Sequence, residues 1–241
     1  MSTDVSGLMM IGEARAVLVS GQHEYETRHA GAIADTWQRL KAANPALYNG
    51  RTVLAENWSV EGGVFSAVCR EVNYATLLHF LMTPAEAGAG AAPGTGALYF
   101  YAAPAIISAD GKAIMGRMAS HTANAGRVYF PSGSLEIQDF AGGMADFGSN
   151  MRREVLEETG IDLATANAAT GYHFWQERGV AALIRDYRFA DDAQSLRRRM
   201  LDFCGSSEGD GELDDILVFS PGECDSAMPG PIRAWMSQFA G

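Results

Sequence analysis

Residues 153–161 read Arg-Glu-Val-Leu-Glu-Glu-Thr-Gly-Ile, and this stretch decides the fold of the second half of the chain. In an α-helix, residues three and four positions apart share a face, so Glu154, Glu157 and Glu158 are predicted to point the same way. Carboxylates placed so close together repel one another and destabilise an isolated helix. A bound cation removes that repulsion, and oxygen ligands suit Mg²⁺ or Mn²⁺. Gly160 follows where a left-handed C-terminal cap is expected.

Apolar residues within the same stretch predict that one side of this helix is buried. Val155, Leu156 and Ile161 are expected to anchor that side in a hydrophobic core. An acidic cluster on a helix is also common on a solvated surface. The glutamates by themselves therefore leave both a metal site and an ordinary charged face open.

The stretch resembles the second half of the Nudix box, a family pattern written G-x5-E-x7-R-E-U-x-E-E-x-G-U, where U is aliphatic. Every position that this half specifies holds the expected type of residue: Arg153, Glu154, Val155, Glu157, Glu158, Gly160 and Ile161. The resemblance implies a Nudix hydrolase domain over residues 97–241, with an α/β/α sandwich built on a mixed sheet. It also implies an enzyme that hydrolyses pyrophosphate bonds with Mg²⁺, for which Mn²⁺ can substitute.

The first half of the box departs from the pattern. Counting back eight residues from Arg153 reaches Ala145, where the pattern has glutamate. Upstream, residues 130–136 (Phe-Pro-Ser-Gly-Ser-Leu-Glu) resemble the strand end and Gly-rich loop of the family, so the loop after Gly133 is predicted to be lengthened. Three nearby carboxylates are candidates to replace the first glutamate: Glu136, Asp139 and Asp146. Asp146 is equally suited to be the N-cap of the helix.

Residues outside the helix complete the candidate site. The resemblance implies a further carboxylate from a late loop, acting as metal ligand or base, and Glu212 is our candidate from the acidic run 208–215. A solvated charged loop is the alternative for that run. Arg117 and Arg127 are candidates to hold a substrate phosphate with forked hydrogen bonds, although either could be an ordinary surface arginine. The resemblance also implies that Arg153 pairs with a helix carboxylate and fixes its rotamer.

Composition limits the classes of partner. The chain has 241 residues, 47% hydrophobic and 20% charged, as expected for a globular protein. Its net charge of −11 argues against a nucleic-acid polymer as partner, and no apolar run approaches the ~20 residues needed to span a membrane. The cysteines at 69, 204 and 224 show no zinc spacing and are predicted to be reduced thiols. Together with residues 1–10, which lack the pattern of a secretory signal, they predict a cytoplasmic location.

Residues 85–96 are rich in Gly and Ala and are predicted to form a flexible linker. The linker separates an N-terminal α+β region, residues 1–84, from the domain at 97–241, and we regard the N-terminal region as a candidate for substrate specificity. In this region we predict strands at 14–20, 53–58 and 64–72 and helices at 24–43 and 74–82. The segment 44–50, Asn-Pro-Ala-Leu-Tyr-Asn-Gly, resembles one found in a Nudix branch that includes UDP-sugar diphosphatases. A helix stop followed by a turn explains the same residues.

In the second region the predicted order of elements is short strands followed by intermittent helices, which favours a mixed sheet between helical layers. Strands are predicted at 98–108, 113–118, 127–130, 173–178, 180–189 and 216–220. Helices are predicted after the Gly-rich loop, at 192–204 and at 231–239.

The residues and the resemblance together predict Mg²⁺-dependent hydrolysis of a nucleoside diphosphate linked to another moiety. UDP-sugars, ADP-ribose, dinucleotides and CoA derivatives all fit this description. The expected partner is a small nucleotide-derived substrate, and the resemblance allows a homodimer. Two other classes of function stay open: a catalytically weak nucleotide-binding sensor with the same fold, and a structural acidic domain.

Overall fold

A computed structural model describes residues 7–83, 96–122 and 124–240. The strands are β1 (Met9–Ile11), β2 (Glu13–Leu18), β3 (Arg51–Glu61), β4 (Val64–Asn73), β5 (Tyr99–Ile107), β6 (Ala113–Met118), β7 (Val128–Tyr129), β8 (Phe140–Ala141), β9 (Met144–Ala145), β10 (Asn167–Ala168), β11 (Tyr172–Glu177), β12 (Val180–Arg188) and β13 (Leu213–Phe219). The α-helices are α1 (Glu24–Arg28), α2 (Ala30–Ala43), α3 (Tyr74–Met82), α4 (Phe147–Thr159), α5 (Ala193–Cys204) and α6 (Gly230–Gln238).

These strands form two sheets. The first has the order β1-β11-β12-β5-β6-β13, with β10 beside β12 and β7 beside β6. It is mixed, because β12 runs parallel to β5 while the other neighbouring strands are antiparallel. The second sheet has the order β3-β4-β2-β9-β8, in which β2 and β4 are parallel.

The helices cover the first sheet on both faces. One hydrophobic cluster joins one face of this sheet to α4, α5 and the second sheet, through side chains such as Phe100, Phe147 and Phe65. A second cluster joins the opposite face to α6 through Trp235 and Met236. This arrangement confirms the predicted α/β/α fold class with a mixed sheet.

The N-terminal region is joined to the rest of the chain at several places. Strand β1 pairs with β11 in the first sheet, and β2 pairs with β9 in the second. A third cluster packs α1, α2 and α3 against β3 and β4 through side chains such as Ile33, Leu54 and Phe80. The division into a specificity region and a hydrolase domain stays a prediction, and the predicted linker 85–96 lies outside the described residues except for Gly96. No helix of the described ranges has the length and apolar character that a membrane crossing requires.

Most predicted elements occur in the structure, with two differences that bear on the site. The predicted helix 24–43 is two helices, because His29 leaves helical geometry at φ −110° and ψ 17°. The loop before α4 contains the hairpin β8–β9, which the sequence did not predict as a pair of strands.

Candidate active site

The helix that carries the glutamates begins and ends at the predicted signals. Asp146 is its N-cap, and its Oδ1 accepts a hydrogen bond from the Ser149 backbone N–H at 2.9 Å. Gly160 ends the helix with φ 69°, and a Cβ there would lie 2.6 Å from Phe203 Cγ. Glycine is therefore required at position 160 both for backbone conformation and for space.

The buried face of α4 is defined by spacing of three and four residues. Phe147, Met151 and Val155 are almost fully buried, as is Ile161 just beyond the helix. The expectation that Leu156 anchors the core is wrong, because 45% of this residue is exposed. Position 156 lies about 100° around the helix from Val155, which is enough to turn it from the core to the solvent.

The glutamates of α4 differ in their surroundings although they share a side of the helix. Glu158 is 4% exposed, and its Oε2 has no hydrogen-bond partner among the described residues. The side chain of Glu154 is 14% exposed and that of Glu157 is 56% exposed. The first two therefore point into a confined space, and Glu157 stands at its solvent edge.

Glu154 lies directly against the Gly-rich loop. A Cβ on Gly133 would be 2.6 Å from Glu154 Oε1 and closer still to Oε2. The backbone of Gly133 does not have a positive φ, so glycine is required here for space rather than for conformation. The loop is held in place by Ser134, which bridges to Tyr101 in the sheet and whose Oγ lies 2.8 Å from the Tyr99 hydroxyl.

Arg153 connects the helix carboxylates to the lengthened loop. Its Nη1 lies 2.7 Å from Glu154 Oε1 and 3.3 Å from Glu157 Oε2, so the predicted pairing with helix carboxylates is present. Its Nη2 lies 3.2 Å from Asp139 Oδ2. Asp139 is 5% exposed and also accepts hydrogen bonds from the Glu136 backbone N–H at 2.8 Å and from Asn150 Nδ2 at 3.0 Å.

The hairpin β8–β9 explains why the first half of the motif is displaced in sequence. It occupies residues 140–145, and its base is closed by a 2.8 Å hydrogen bond from the Asp146 backbone N–H to the Asp139 carbonyl. With these six residues set aside, five residues separate Gly133 from Asp139 and seven separate Asp139 from Arg153. These are the spacings of the pattern, with aspartate in place of its first glutamate. Of the three predicted candidates, Asp139 occupies that position.

The hairpin is also tied to the N-terminal region. The Leu18 backbone N–H donates to the Gly143 carbonyl at 2.8 Å, and Val17 is the register partner of Met144. Strand β2 therefore holds the hairpin β8–β9 in place. The hairpin is flanked by Asp139 on one side and by the helix N-cap Asp146 on the other. This contact gives the N-terminal region a structural part in the site.

Glu212 lies in the late acidic loop, directly before β13, and its role in the site stays a prediction. Its backbone carbonyl accepts from Ala119 N–H at 2.8 Å, which fixes the end of the loop on β6. Burial raises the pKa of the Glu212 carboxyl, the charge of Asp210 raises it further, and His121 acts in the opposite direction. Burial and acidic groups therefore dominate the environment of the Glu212 carboxyl.

The carboxylates raise the pKa values of one another. Burial, followed by the charges of Glu212, Glu154 and Asp210, raises the pKa of Glu158 well above its usual value. Burial raises the pKa of Glu154 to about 7, against the opposing effect of Arg153. Buried carboxyl groups whose pKa values are raised form a site that a divalent cation would stabilise.

The fit of a metal ion rests on this donor set. Within residues 7–83, 96–122 and 124–240, no group of three or more aspartate, glutamate, histidine or cysteine side chains is arranged so that it could already hold a metal ion. The unpartnered Oε2 of Glu158 suits a cation, and carboxylate oxygens suit Mg²⁺ or Mn²⁺. The residues present therefore fit a divalent metal.

The arginines predicted to bind phosphate are placed differently. Arg117 lies 3.6 Å from Asp225 Oδ2 and contacts the Gly126 carbonyl, so its charge is already balanced. Arg127 is exposed and directly precedes β7. Their role as phosphate ligands stays a prediction.

The sequence analysis did not identify several residues near the carboxylates. His121 belongs to no motif that the sequence analysis names, and Asp210 is only one member of the acidic run 208–215. Tyr74, Tyr99 and Tyr129 come from distant segments, and only Tyr129 had a local signal, since it directly precedes the strand end at 130–136.

Comparisons with known proteins give the following matches. No protein-family model matches the chain, and no curated protein matches it. Among solved structures, a MutT protein from Methanosarcina mazei Go1 is 15% identical over 59% of this chain and 92% of its own, with a TM-score of 0.42. A putative Nudix hydrolase from Chromobacterium violaceum is 18% identical over 59% of this chain and 78% of its own, with a TM-score of 0.38.

A bifunctional NMN adenylyltransferase/ADP ribose pyrophosphatase from Francisella tularensis, complexed with AMP and a Mn ion, also matches. It is 15% identical over 51% of this chain and 34% of its own, with a TM-score of 0.33. The matching structures thus include proteins described as MutT, Nudix hydrolase and ADP ribose pyrophosphatase. Identities and TM-scores this low assign neither activity nor substrate to this chain.

Proposed function

We propose that this protein is a Nudix-type hydrolase that cleaves the pyrophosphate bond of a nucleoside diphosphate linked to another moiety, with Mg²⁺ as cofactor. One observation carries the proposal. Glu158 is buried with an unpartnered oxygen, and the charges of Glu154, Glu212 and Asp210 all act on it. A buried acidic cluster of this kind is costly to the fold unless it binds something positive, and such perturbed groups concentrate at functional sites.

Each member of the site has a role in this proposal. Glu154, Glu157 and Glu158 would hold the cation, with Glu157 at the solvent edge. When bound, Mg²⁺ would neutralise pyrophosphate oxygens and lower the pKa of an attacking water. Arg153 and Asp139 are positioning residues, because they set the rotamers of the helix glutamates without facing the substrate.

Glu212 is our candidate for the general base. A carboxylate whose pKa is raised towards neutrality is a better proton acceptor than an ordinary one, and burial and Asp210 raise that of Glu212. In the proposed reaction Glu212 accepts a proton from the water as its oxygen bonds to one phosphorus. The bond from that phosphorus to the bridging oxygen breaks, and the other phosphate leaves with the bridging oxygen.

The substrate is proposed at the level of class. The net charge of −11 is unfavourable for nucleic-acid polymers, while a small diphosphate is compatible with a site that carries a divalent cation. UDP-sugars, ADP-ribose, dinucleotides and CoA derivatives share the reacting bond. A homodimer and a cytoplasmic location stay predictions.

A panel of these compounds tests the proposal. The protein is incubated with each compound and Mg²⁺, with EDTA in place of Mg²⁺ as the control, and release of nucleoside monophosphate or phosphorylated product is measured. Mg²⁺-dependent turnover of at least one compound is expected. Tight binding of one compound with negligible turnover of all would support the nucleotide-binding sensor instead, and neither binding nor turnover would leave the structural acidic domain.

A further inference from the structure

One amide side chain is buried where helix α4 meets the lengthened loop. Asn150 is 0% exposed. It lies three residues before Arg153 and four before Glu154, so it shares a face of the helix with both. Its Nδ2 donates a hydrogen bond to Asp139 Oδ2 at 3.0 Å, whereas its Oδ1 has no hydrogen-bond partner among the described residues. The amide is therefore engaged at one end only.

The orientation of this amide follows from its partner. A carboxylate accepts hydrogen bonds and the NH₂ group of an amide donates them, so Nδ2 rather than Oδ1 faces Asp139. Oδ1 is consequently turned into the interior, where a polar atom without a partner destabilises the fold. An apolar side chain of similar size would avoid this loss. The contribution of Asn150 thus lies in its contact with Asp139.

Asp139 receives donors from both sides of the contact between loop and helix. Its Oδ2 accepts from the Glu136 backbone N–H at 2.8 Å on the loop side and from Asn150 on the helix side. Arg153 Nη2 lies 3.2 Å from Oδ2 and 3.3 Å from Oδ1 of the same carboxylate. The first two donors therefore hold a buried carboxylate where the guanidinium reaches both of its oxygens.

The guanidinium of Arg153 is shared between Asp139 and the glutamates of α4. Its Nη1 lies 2.7 Å from Glu154 Oε1 and 3.3 Å from Glu157 Oε2, while Nη2 is engaged by Asp139. If Asp139 moved away, the glutamates alone would balance this positive charge. A cation would then compete with a released guanidinium for the same oxygens, and its affinity would decrease.

We propose that Asn150 is a positioning residue of the metal site: its amide fixes Asp139, and Asp139 draws the Arg153 guanidinium towards itself. The glutamates of α4 thereby stay available to a divalent cation. The inference rests on the proposed function, since it takes the cation to bind these glutamates. It extends the network around the site to a residue whose side chain makes no hydrogen bond to them.

The affinity of the metal-free protein for Mn²⁺ tests the proposal without turnover. Titrations followed by electron paramagnetic resonance compare the natural protein with Asn150→Leu, which keeps a similar volume and removes the amide. Replacing an outer partner of a metal ligand commonly weakens metal binding 10–100-fold, and Asn150 acts one step further away. We therefore expect Mn²⁺ to bind about tenfold more weakly. Asn150→Ala is judged by the same criteria if the leucine variant does not fold.

The side chain of Arg153 gives a second readout, which needs no metal. In protein labelled with ¹⁵N-arginine, a guanidinium held by carboxylates at both ends rotates slowly and gives resolved Nη resonances. The resonances of Arg153 are assigned by their loss in Arg153→Lys. We expect them to shift or broaden in Asn150→Leu, because Asp139 is no longer fixed. A purely structural role of the amide would lower the unfolding temperature without moving these signals.

A double-mutant cycle tests whether Asn150 acts through Asp139. In an Asp139→Ala background the carboxylate that the amide positions is gone, so adding Asn150→Leu should change Mn²⁺ affinity by no more than about twofold. Equal losses of affinity in the natural and the Asp139→Ala backgrounds would mean that the amide acts by another route, and would overturn the proposal.

Thr159→Val is the matched control on the same helix. Thr159 is also fully buried, and its Oγ1 contacts only backbone groups, the Val155 carbonyl at 2.5 Å and the Ile161 N–H at 3.3 Å. Its replacement removes a buried polar group of α4 that is not part of the Asp139 network. Mn²⁺ affinity and the Arg153 resonances should stay as in the natural protein. A loss of affinity as large as that of Asn150→Leu would overturn the proposal, since any lesion of the helix would then have the same effect.

The outcomes separate this inference from the proposed function. The inference is overturned if either Mn²⁺ affinity or the Arg153 resonances stay unchanged in Asn150→Leu, even if the natural protein hydrolyses a panel compound. Weaker Mn²⁺ binding together with displaced resonances supports the inference, and in a protein that hydrolyses nothing this result refutes the hydrolase alone. Absence of Mn²⁺ binding by the natural protein overturns both.

Discussion

The replacement Glu154→Gln should make the metal-free protein more stable while it weakens the metal site. The side chain of Glu154 is 14% exposed, and burial raises its pKa from 4.5 to about 7. That difference corresponds to about 3 kcal/mol at roughly 1.4 kcal/mol for each pH unit. Glutamine has nearly the same shape and cannot ionise, so it avoids this cost.

The sign of the effect follows from proton binding. The folded protein holds the Glu154 proton more tightly than the unfolded chain, so its stability decreases as pH rises from 4.5 to about 7. At pH 8 the full cost is present, and Glu154→Gln should raise stability by up to about 3 kcal/mol, or about 6–12 °C for a chain of this size. At pH 4.5 most of this advantage should disappear, because the natural side chain is then protonated in the folded protein.

Thermal unfolding in EDTA at both pH values, repeated with Mg²⁺, measures these effects. Mg²⁺ should stabilise the natural protein at pH 8 more than it stabilises the variant. Glu157→Gln is the control on the same helix, and because that side chain is 56% exposed, its replacement should change stability by no more than about 0.5 kcal/mol. The reasoning is refuted if Glu154→Gln lowers stability at pH 8, or if its effect is the same at both pH values.

Three further predictions concern the same helix and loop. Glu158→Gln should fold and lower kcat by at least about 10²-fold, the scale for loss of a key electrostatic group, and near-normal turnover in steady-state assays would count against the metal role. Gly133→Ala should displace the Glu154 carboxylate, so Mn²⁺ titration should show weaker binding with little change in unfolding temperature; unchanged Mn²⁺ affinity would contradict this. Asp139→Ala should release Arg153 and reduce kcat, whereas Ala145→Glu in the hairpin should be nearly neutral; a larger effect of Ala145→Glu would mean that the loop alignment is wrong.

The sequence predicted helix α4 well because its signals are local. The carboxylates at i, i+3 and i+4 and Gly160 as the C-cap follow from helical geometry alone, and Asp146 at the N-cap follows from its place before the helix. Six strands of the first sheet, β5, β6, β7, β11, β12 and β13, were also predicted within a few residues, whereas the short strands β1 and β10 were not predicted.

The lengthened loop could not be predicted because its structure depends on a distant strand. Residues 140–145 have no strong strand pattern, and they form a hairpin where β2 supplies hydrogen bonds at Leu18. Only the closed base of this hairpin shows that Asp139 and Asp146 are neighbours in space. The correct spacing of the motif was therefore hidden in the linear sequence.

The tyrosines and His121 were missed for a similar reason. Tyr74 is 138 positions away from Glu212 in the chain, yet the charge of Glu212 adds to the effect of burial and raises its pKa. No periodicity or short motif indicates such an effect. The exposure of Leu156, by contrast, followed from the helical angle between neighbouring residues and was predictable.

Diffraction from crystals soaked with Mn²⁺ and α,β-methylene-ADP tests the central claim most directly, because the anomalous signal locates the ion. The account predicts an ion within about 2.0–2.4 Å of carboxylate oxygens of Glu154 and Glu158, on the side of α4 that faces Glu212, and in contact with the diphosphonate. An ion and analogue bound elsewhere, with Glu158 still buried and without a ligand, would contradict the account.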